Sequence, residues 1–182
     1  LKNDALPIVS ENQFKRAEVL TSESEIVFQI NNASVRSNEL SKQSMKDMKS
    51  FAKNTEKDTT ITLKGVEIVG YASPDGPEDN NENLAKNRQA AAEKALKGSV
   101  KGTFTSNYMA EDWDGFRQLM ESSSIQDKDA ILNVLSQYSD PVVREAEIKK
   151  MGVVYQEIAD KILPQLRRSK IVVSAEKVGK SD

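Results

Sequence analysis

The chain has 182 residues, with 26 basic and 28 acidic side chains and a formal net charge of −2. A hydrophobic share of 37% is enough for a globular core, and the balanced charge argues against a nucleic-acid partner. The sequence contains neither cysteine nor histidine, which excludes disulfides, thiolate or imidazole metal sites and Ser-His-Asp catalysis. We therefore expect a protein that is not an enzyme and that carries no cofactor or bound metal.

The first half of the chain is predicted to alternate between strands and helices. Residues 1–24 are polar and are expected to form a loosely packed lead-in. β-Branched and aromatic runs indicate the strands, and apolar residues at helical spacing indicate the helices. The strands are predicted at 25–30, 61–72 and 100–106, and the helices at 37–53 and 82–97. Ser37 is expected to be an N-cap, and Gly65 is expected at a bulge.

The second half is predicted to be mostly helical. Helices are expected at 112–122, at 127–138 and from Asp140 onward, with a break at Gly152 and a continuation up to Pro164. Four aromatic residues fall at core spacing in this region: Trp113, Phe116, Tyr138 and Tyr155. A closing strand around 171–175 and a charged tail at 177–182 follow.

This order of elements predicts an α+β fold, an α/β sandwich with helices against one side of a sheet. The core order is β-α-β-α-β, followed by a helical insertion and a closing strand. We expect one domain over residues 25–176, in which residues 111–163 form the insertion.

The segment GYASPDGPEDNNENLAKNR, residues 70–88, joins the second strand to the alanine-rich helix. Glycine and proline shape a tight turn here, and a helix N-terminus follows it. Arg88 has the reach and geometry to hold a carboxylate in a bidentate fork. Asp75, with Glu78 and Asp79 nearby, offers negative charge to an ammonium group. A site with both signs suits a zwitterion, such as a free amino-acid end.

The same residues also have a purely structural interpretation. Glycine, proline, aspartate and asparagine are common in turns, Asn81 has the chemistry of a helix cap, and a helical arginine often joins a surface ion pair. Arg167 and Arg168, which are adjacent in sequence, also have two interpretations: they either bind phosphate groups or pair with surface carboxylates. Residue types alone leave these alternatives open.

The segment resembles the signature of OmpA-like C-terminal domains, roughly G-H-T-D-x-x-G-x-x-x-Y-N-x-x-L-S-x-x-R-A. Five positions match it in register: Gly70, Gly76, Asn81, Leu84 and Arg88. The resemblance covers about residues 25–106 and 164–176. Residues 111–163 have no counterpart in the compact family domain and resemble a helical insertion of OmpA-family envelope proteins of Bacteroides-type bacteria.

The resemblance implies a domain that binds peptidoglycan without a covalent bond. In the family, the motif arginine takes the carboxylate and the motif aspartate takes the amino group of diaminopimelate in the stem peptide. By position the arginine is Arg88, the aspartate is replaced by Ser73, the preceding threonine is replaced by Ala72, and the motif asparagine is Asn81. Asp75, two residues beyond Ser73, is the carboxylate that we expect to substitute for the missing one.

The resemblance also implies a periplasmic location and attachment to the outer membrane. The expected tether is an N-terminal region before Leu1, as in a lipoprotein or a fragment of an outer-membrane protein. The expected function is to link the outer membrane to the cell wall. The alternative is an assembly module that has lost the ligand and docks an envelope or surface-appendage protein through residues 111–163.

Overall fold

The computed structural model describes residues 16–179, in which four strands form one mixed sheet of order β1-β4-β2-β3. The strands are β1 (Arg16–Val27), β2 (Ile61–Tyr71), β3 (Phe104–Met109) and β4 (Arg168–Gly179). β4 runs antiparallel to both of its neighbours, and β2 and β3 are parallel. The crossover between the parallel strands β2 and β3 contains a helix, as such connections usually do.

The helices fall into two groups. Those that precede β3 are α1 (Ser37–Leu40), α2 (Gln43–Lys57) and α3 (Glu78–Leu96). Those between β3 and β4 are α4 (Trp113–Ser122), α5 (Lys128–Gln137), α6 (Pro141–Lys149), α7 (Val153–Lys161) and α8 (Leu163–Leu166). We call α4–α8 the insertion; it ends at Leu166, three residues beyond the predicted end at 163. The predicted α+β class and the predicted order of elements are confirmed.

Apolar residues of residues 16–179 gather in two clusters. The first joins inward-facing strand residues to α2 and α3, and its most buried members include Ile26, Met45, Met48, Ile68, Leu96 and Val173. The second lies within the insertion and includes Phe116, Met120, Ile131, Ile158 and Leu166. Of the four aromatic residues predicted in this second core, Phe116 is 1% exposed and the other three pack against the cluster half-buried. The prediction that they are core residues is therefore confirmed.

β1 begins earlier than the sequence predicts. The strand expected at 25–30 runs instead from Arg16 to Val27, paired along its length with β4, and so includes part of the predicted lead-in. β1 is an edge strand with one neighbour, so polar residues such as Thr21 and Ser22 are tolerated on it and conceal the strand pattern. β4 likewise extends to Gly179, into the predicted tail. The remainder of the lead-in, 1–15, and the last residues, 180–182, lie outside the described residues.

Other boundaries move for local reasons. The helix expected over 37–53 is interrupted after Leu40, and Ser37 is not its N-cap, because Arg36 occupies that position without a side-chain cap. β3 starts at Phe104 rather than at residue 100. The bulge at Gly65 and the breaks around Asp140 and Gly152 are confirmed: the β2–β4 register shifts at Gly65, and the Asp140 carboxylate caps α6.

Within residues 16–179 no helix combines the length and the hydropathy needed to span a bilayer.

Candidate functional site

The buried face of α3 carries two polar side chains. The sequence predicts a buried stripe of Leu84, Ala91, Ala95 and Leu96, but the observed stripe consists of Asn81, Ala85, Arg88, Ala92 and Leu96. The prediction is confirmed for Leu96 and wrong for the other three positions, because it considers only apolar residues, whereas an asparagine and an arginine occupy core-facing positions here. These are the same two residues that the loop motif singles out.

α3 packs unusually close to β2. A Cβ atom added at Gly70 would lie 2.1 Å from the Ala85 carbonyl oxygen and 2.7 Å from the Gln89 amide nitrogen. Only glycine fits between the strand and the helix backbone at this distance. The close contact brings the first turns of α3 beside the end of β2, where the loop 72–77 begins.

A pocket of about 200 Å³ lies at this junction. Seven of its eleven lining residues are polar, and the lining comes from the loop, from α3, from the turn after β1 and from the residue before β4. The residues are Ile30, Asn31, Ser73, Asp75, Gly76, Pro77, Asn80, Asn81, Leu84, Arg88 and Arg167. Charge in the lining comes from Asp75, Arg88 and Arg167, so the pocket presents both signs.

The loop holds its carboxylate and its backbone in place by hydrogen bonds. The Ser73 hydroxyl donates to Oδ1 of Asp75 at 2.5 Å, which places the Asp75 carboxylate next to the position where the OmpA-like motif has its aspartate. Asn81 is not the helix cap: its Nδ2 donates to the carbonyl oxygens of Asp75 at 3.0 Å and Gly76 at 3.5 Å. Gly76 has φ = +90°, a conformation that favours glycine. The turn thus presents Asp75 to the pocket.

Arg88 is almost fully buried, with 1% of its surface exposed. Its guanidinium donates to three backbone carbonyls: Nε to Asn32 at 3.1 Å, Nη1 to Tyr71 at 3.0 Å and Nη2 to Gln29 at 3.2 Å. It also lies over the Phe28 ring, 5.6 Å from the centroid. These contacts tie the chain after β1 to the end of β2. They use three of the five N–H donors of the guanidinium.

The charge of Arg88 has no carboxylate partner within ion-pair distance among residues 16–179. Burial lowers the pKa of Arg88 to about 10; Arg167 also lowers it, and Asp75 raises it. The guanidinium therefore remains cationic at neutral pH. A buried cation that lines a polar pocket without an ion-pair partner favours an anion site; Asp75 lines the same pocket but lies beyond ion-pair distance.

The adjacent arginines before and within β4 behave differently. Arg168 pairs with Asp112 at 2.8 Å and stacks on the Tyr71 ring at 4.1 Å, so its role is structural. Arg167 is half-buried and lines the pocket. Carboxylate pairing is therefore confirmed for Arg168, and anion binding by Arg167 stays a prediction.

The structure brings four of the five predicted site residues into one pocket: Ser73, Asp75, Asn81 and Arg88. Ala72 is not part of the lining. It is buried, and its backbone bridges two elements, because its N–H donates to the Met109 carbonyl and its carbonyl accepts from the Asp112 N–H, both at 3.3 Å. The predicted site does not include Asn31 or Asn80, and the sequence names Arg167 as a candidate anion-binding residue without placing it in this site. Arg167 is distant in sequence and reaches the pocket only through the register of β4.

No family model matches the chain, and no curated protein matches it in sequence. The function is therefore inferred from the pocket and from the loop motif.

Proposed function

We propose that this chain is a non-enzymatic binding module of the cell envelope. Its pocket would hold the diaminopimelate end of a peptidoglycan stem peptide and so link the outer membrane to the cell wall from the periplasmic side. The observation that carries this proposal is the buried, cationic Arg88, which lines a small polar pocket and forms no ion pair with a carboxylate of residues 16–179.

The pocket offers complementary groups for both charges of an amino-acid end. The ligand carboxylate would take the guanidinium donors of Arg88 that no carbonyl uses, with Arg167 adding positive charge. The ligand ammonium would lie against the Asp75 carboxylate, which Ser73 holds by its hydrogen bond. Asp75 would thereby take the role of the aspartate that the motif has at the position of Ser73.

The carbonyl contacts of Arg88 support a second role for the same residue but do not replace an anion. Three carbonyl dipoles solvate the guanidinium partially, and they also join two segments of the fold. Burying a full charge without a counter-ion still costs free energy, since carbonyls carry no net charge. A bound carboxylate would remove this cost, and Arg88 would then serve both stability and binding.

The alternative function, partner docking by the insertion, has weaker support. Aromatic anchors on a surface would favour it. The aromatic residues Trp113, Phe116, Tyr138 and Tyr155 of the insertion pack in or against its own core.

Asp75→Asn is expected to weaken binding of a muropeptide that ends in diaminopimelate by about tenfold to a hundredfold. The amide keeps the acceptor oxygen for Ser73 but loses the charge that pairs with the ligand ammonium, a loss of ~1.5–3 kcal/mol. NMR titration of the ¹⁵N-labelled chain measures the affinity through the amide shifts of residues 73–88.

Asp79→Asn is the matched control, because Asp79 is exposed, lies four residues further along and does not line the pocket. Its affinity should stay within about twofold of the wild type, since an exposed charge outside the pocket contributes little. If both variants lost affinity equally, the loss would be due to long-range charge and not to a contact between Asp75 and the ligand. Unchanged amide shifts in the wild type at millimolar ligand would overturn the proposed function.

A further inference from the structure

The insertion contacts the loop 72–77 directly. Oε2 of Glu145, on α6, accepts a hydrogen bond from the Gly76 backbone N–H at 2.7 Å, across 69 residues of sequence. The carboxylate side chain is 20% exposed and also pairs with Lys149 at 3.1 Å. The bond reaches the loop at the residue that follows Asp75.

An apolar contact supports the same junction. Pro74 is buried, and with Asp75 it borders a narrow cleft against the insertion. The insertion side of that cleft consists of Trp113, Phe116, Glu145, Ile148, Tyr155 and Ile158. The loop therefore lies between α3 on one side and the insertion on the other.

The bond to Glu145 matters because the loop has few backbone donors. Pro74 and Pro77 have no N–H, so the Gly76 N–H is one of the few groups through which the loop backbone can be held. Asn81 holds the carbonyl oxygens of Asp75 and Gly76, but the Gly76 N–H points away from α3 to Glu145. Glycine at φ = +90° is also the most conformationally free residue of the turn. A charge-assisted bond at this position restricts that freedom.

We propose that the insertion completes the ligand pocket, with Glu145 as the positioning residue that holds the loop 73–77 in its binding conformation. This inference rests on the proposed function. Glu145 itself does not line the pocket; it acts through Gly76 on the direction of the neighbouring Asp75 carboxylate. The insertion is then a part of the binding site, and its deletion would remove binding as well as any partner surface.

The test compares Glu145→Ala with Glu147→Ala in the full chain. Both residues are glutamates on α6 that pair with a lysine, Glu147 with Lys150 at 2.6 Å, but only Glu145 contacts the loop. We expect Glu145→Ala to bind the diaminopimelate muropeptide about tenfold more weakly, because the loop must then be ordered on binding. Glu147→Ala should bind within twofold of the wild type.

Two further readouts separate positioning from stability. The Gly76 amide proton should move upfield in Glu145→Ala, and Glu145→Gln, which keeps an acceptor oxygen, should recover part of the affinity. The melting temperatures of the two alanine variants should agree within a few degrees. A shifted Gly76 amide with unchanged affinity would overturn this inference and leave the proposed function standing. Absence of binding by the wild type would overturn both.

Discussion

Replacement of Arg88 by methionine is expected to destabilise the fold by about 3 kcal/mol and to abolish ligand binding. Methionine fills much of the same space but removes the guanidinium donors from the carbonyls of Asn32 and Tyr71. The Gln29 carbonyl loses its Arg88 contact but still accepts from the Asn32 N–H at 3.2 Å. Each buried carbonyl left without a donor costs about 1–3 kcal/mol. Removal of the desolvated cation offsets part of this loss. The sign remains destabilising because three contacts are lost together.

Urea denaturation followed by circular dichroism measures this change, and Lys86→Met is the matched control. Lys86 lies on the same helix and is exposed; its ion pair with Glu82, at 3.7 Å, is a surface contact. Its loss should change the free energy of unfolding by less than about 0.5 kcal/mol. Arg88→Met with wild-type stability would contradict the hydrogen bonds that we assign to the guanidinium. Arg88→Met with wild-type affinity would remove Arg88 from the site.

Gly70→Ala is expected to destabilise the fold by at least about 3 kcal/mol. The added Cβ would lie 2.1 Å from a backbone carbonyl of α3 and 2.9 Å from the Cβ of Gln89. Neither neighbour is the flexible end of a side chain, so the whole helix must move away from β2. Overpacking inside a core typically costs 1–3 kcal/mol, and a backbone contact is at the upper end or above it. Helix displacement would also carry Arg88 away from the Tyr71 carbonyl.

Gly98→Ala provides the control for this substitution. A Cβ at Gly98 has no atom within 4 Å, and its φ is not positive. We expect a change within about 0.5–1 kcal/mol, in the stabilising direction, because alanine restricts the unfolded chain. A Gly70→Ala variant that unfolds at the same urea concentration as the wild type would show that α3 does not pack as closely as described.

The sequence predicts the architecture well because its helices and its central strand are locally encoded. β2 and the helices α4 and α5 are found within a residue or two of their predicted bounds, since alternating or helically spaced apolar residues mark them. The predicted bounds of β1 are wrong because an edge strand with polar residues shows little alternation of apolar and polar residues. Its position is decided by pairing with β4, which is a tertiary contact.

The sequence predicts only the part of the site that lies within one local segment. Ser73, Asp75, Asn81 and Arg88 lie within one strand-loop-helix unit, so a local motif brings them together. Arg167 reaches the pocket and Glu145 reaches the loop from distant parts of the chain, and no local sequence pattern indicates either position. The burial of the Arg88 side chain could not be predicted either, because a helical arginine is usually exposed and this one lies on the buried face of α3.

The most direct test of the central claim is the side-chain signal of Arg88 itself. A buried guanidinium with a hydrogen-bonded Nε–H exchanges slowly enough to be followed in a ¹⁵N–¹H spectrum, and Arg88→Lys assigns the signal by its loss. We predict that the diaminopimelate muropeptide shifts this resonance together with the amides of residues 73–81, in a saturable manner. An Arg88 signal that stays unchanged at millimolar ligand would contradict the assignment of the pocket as a carboxylate site.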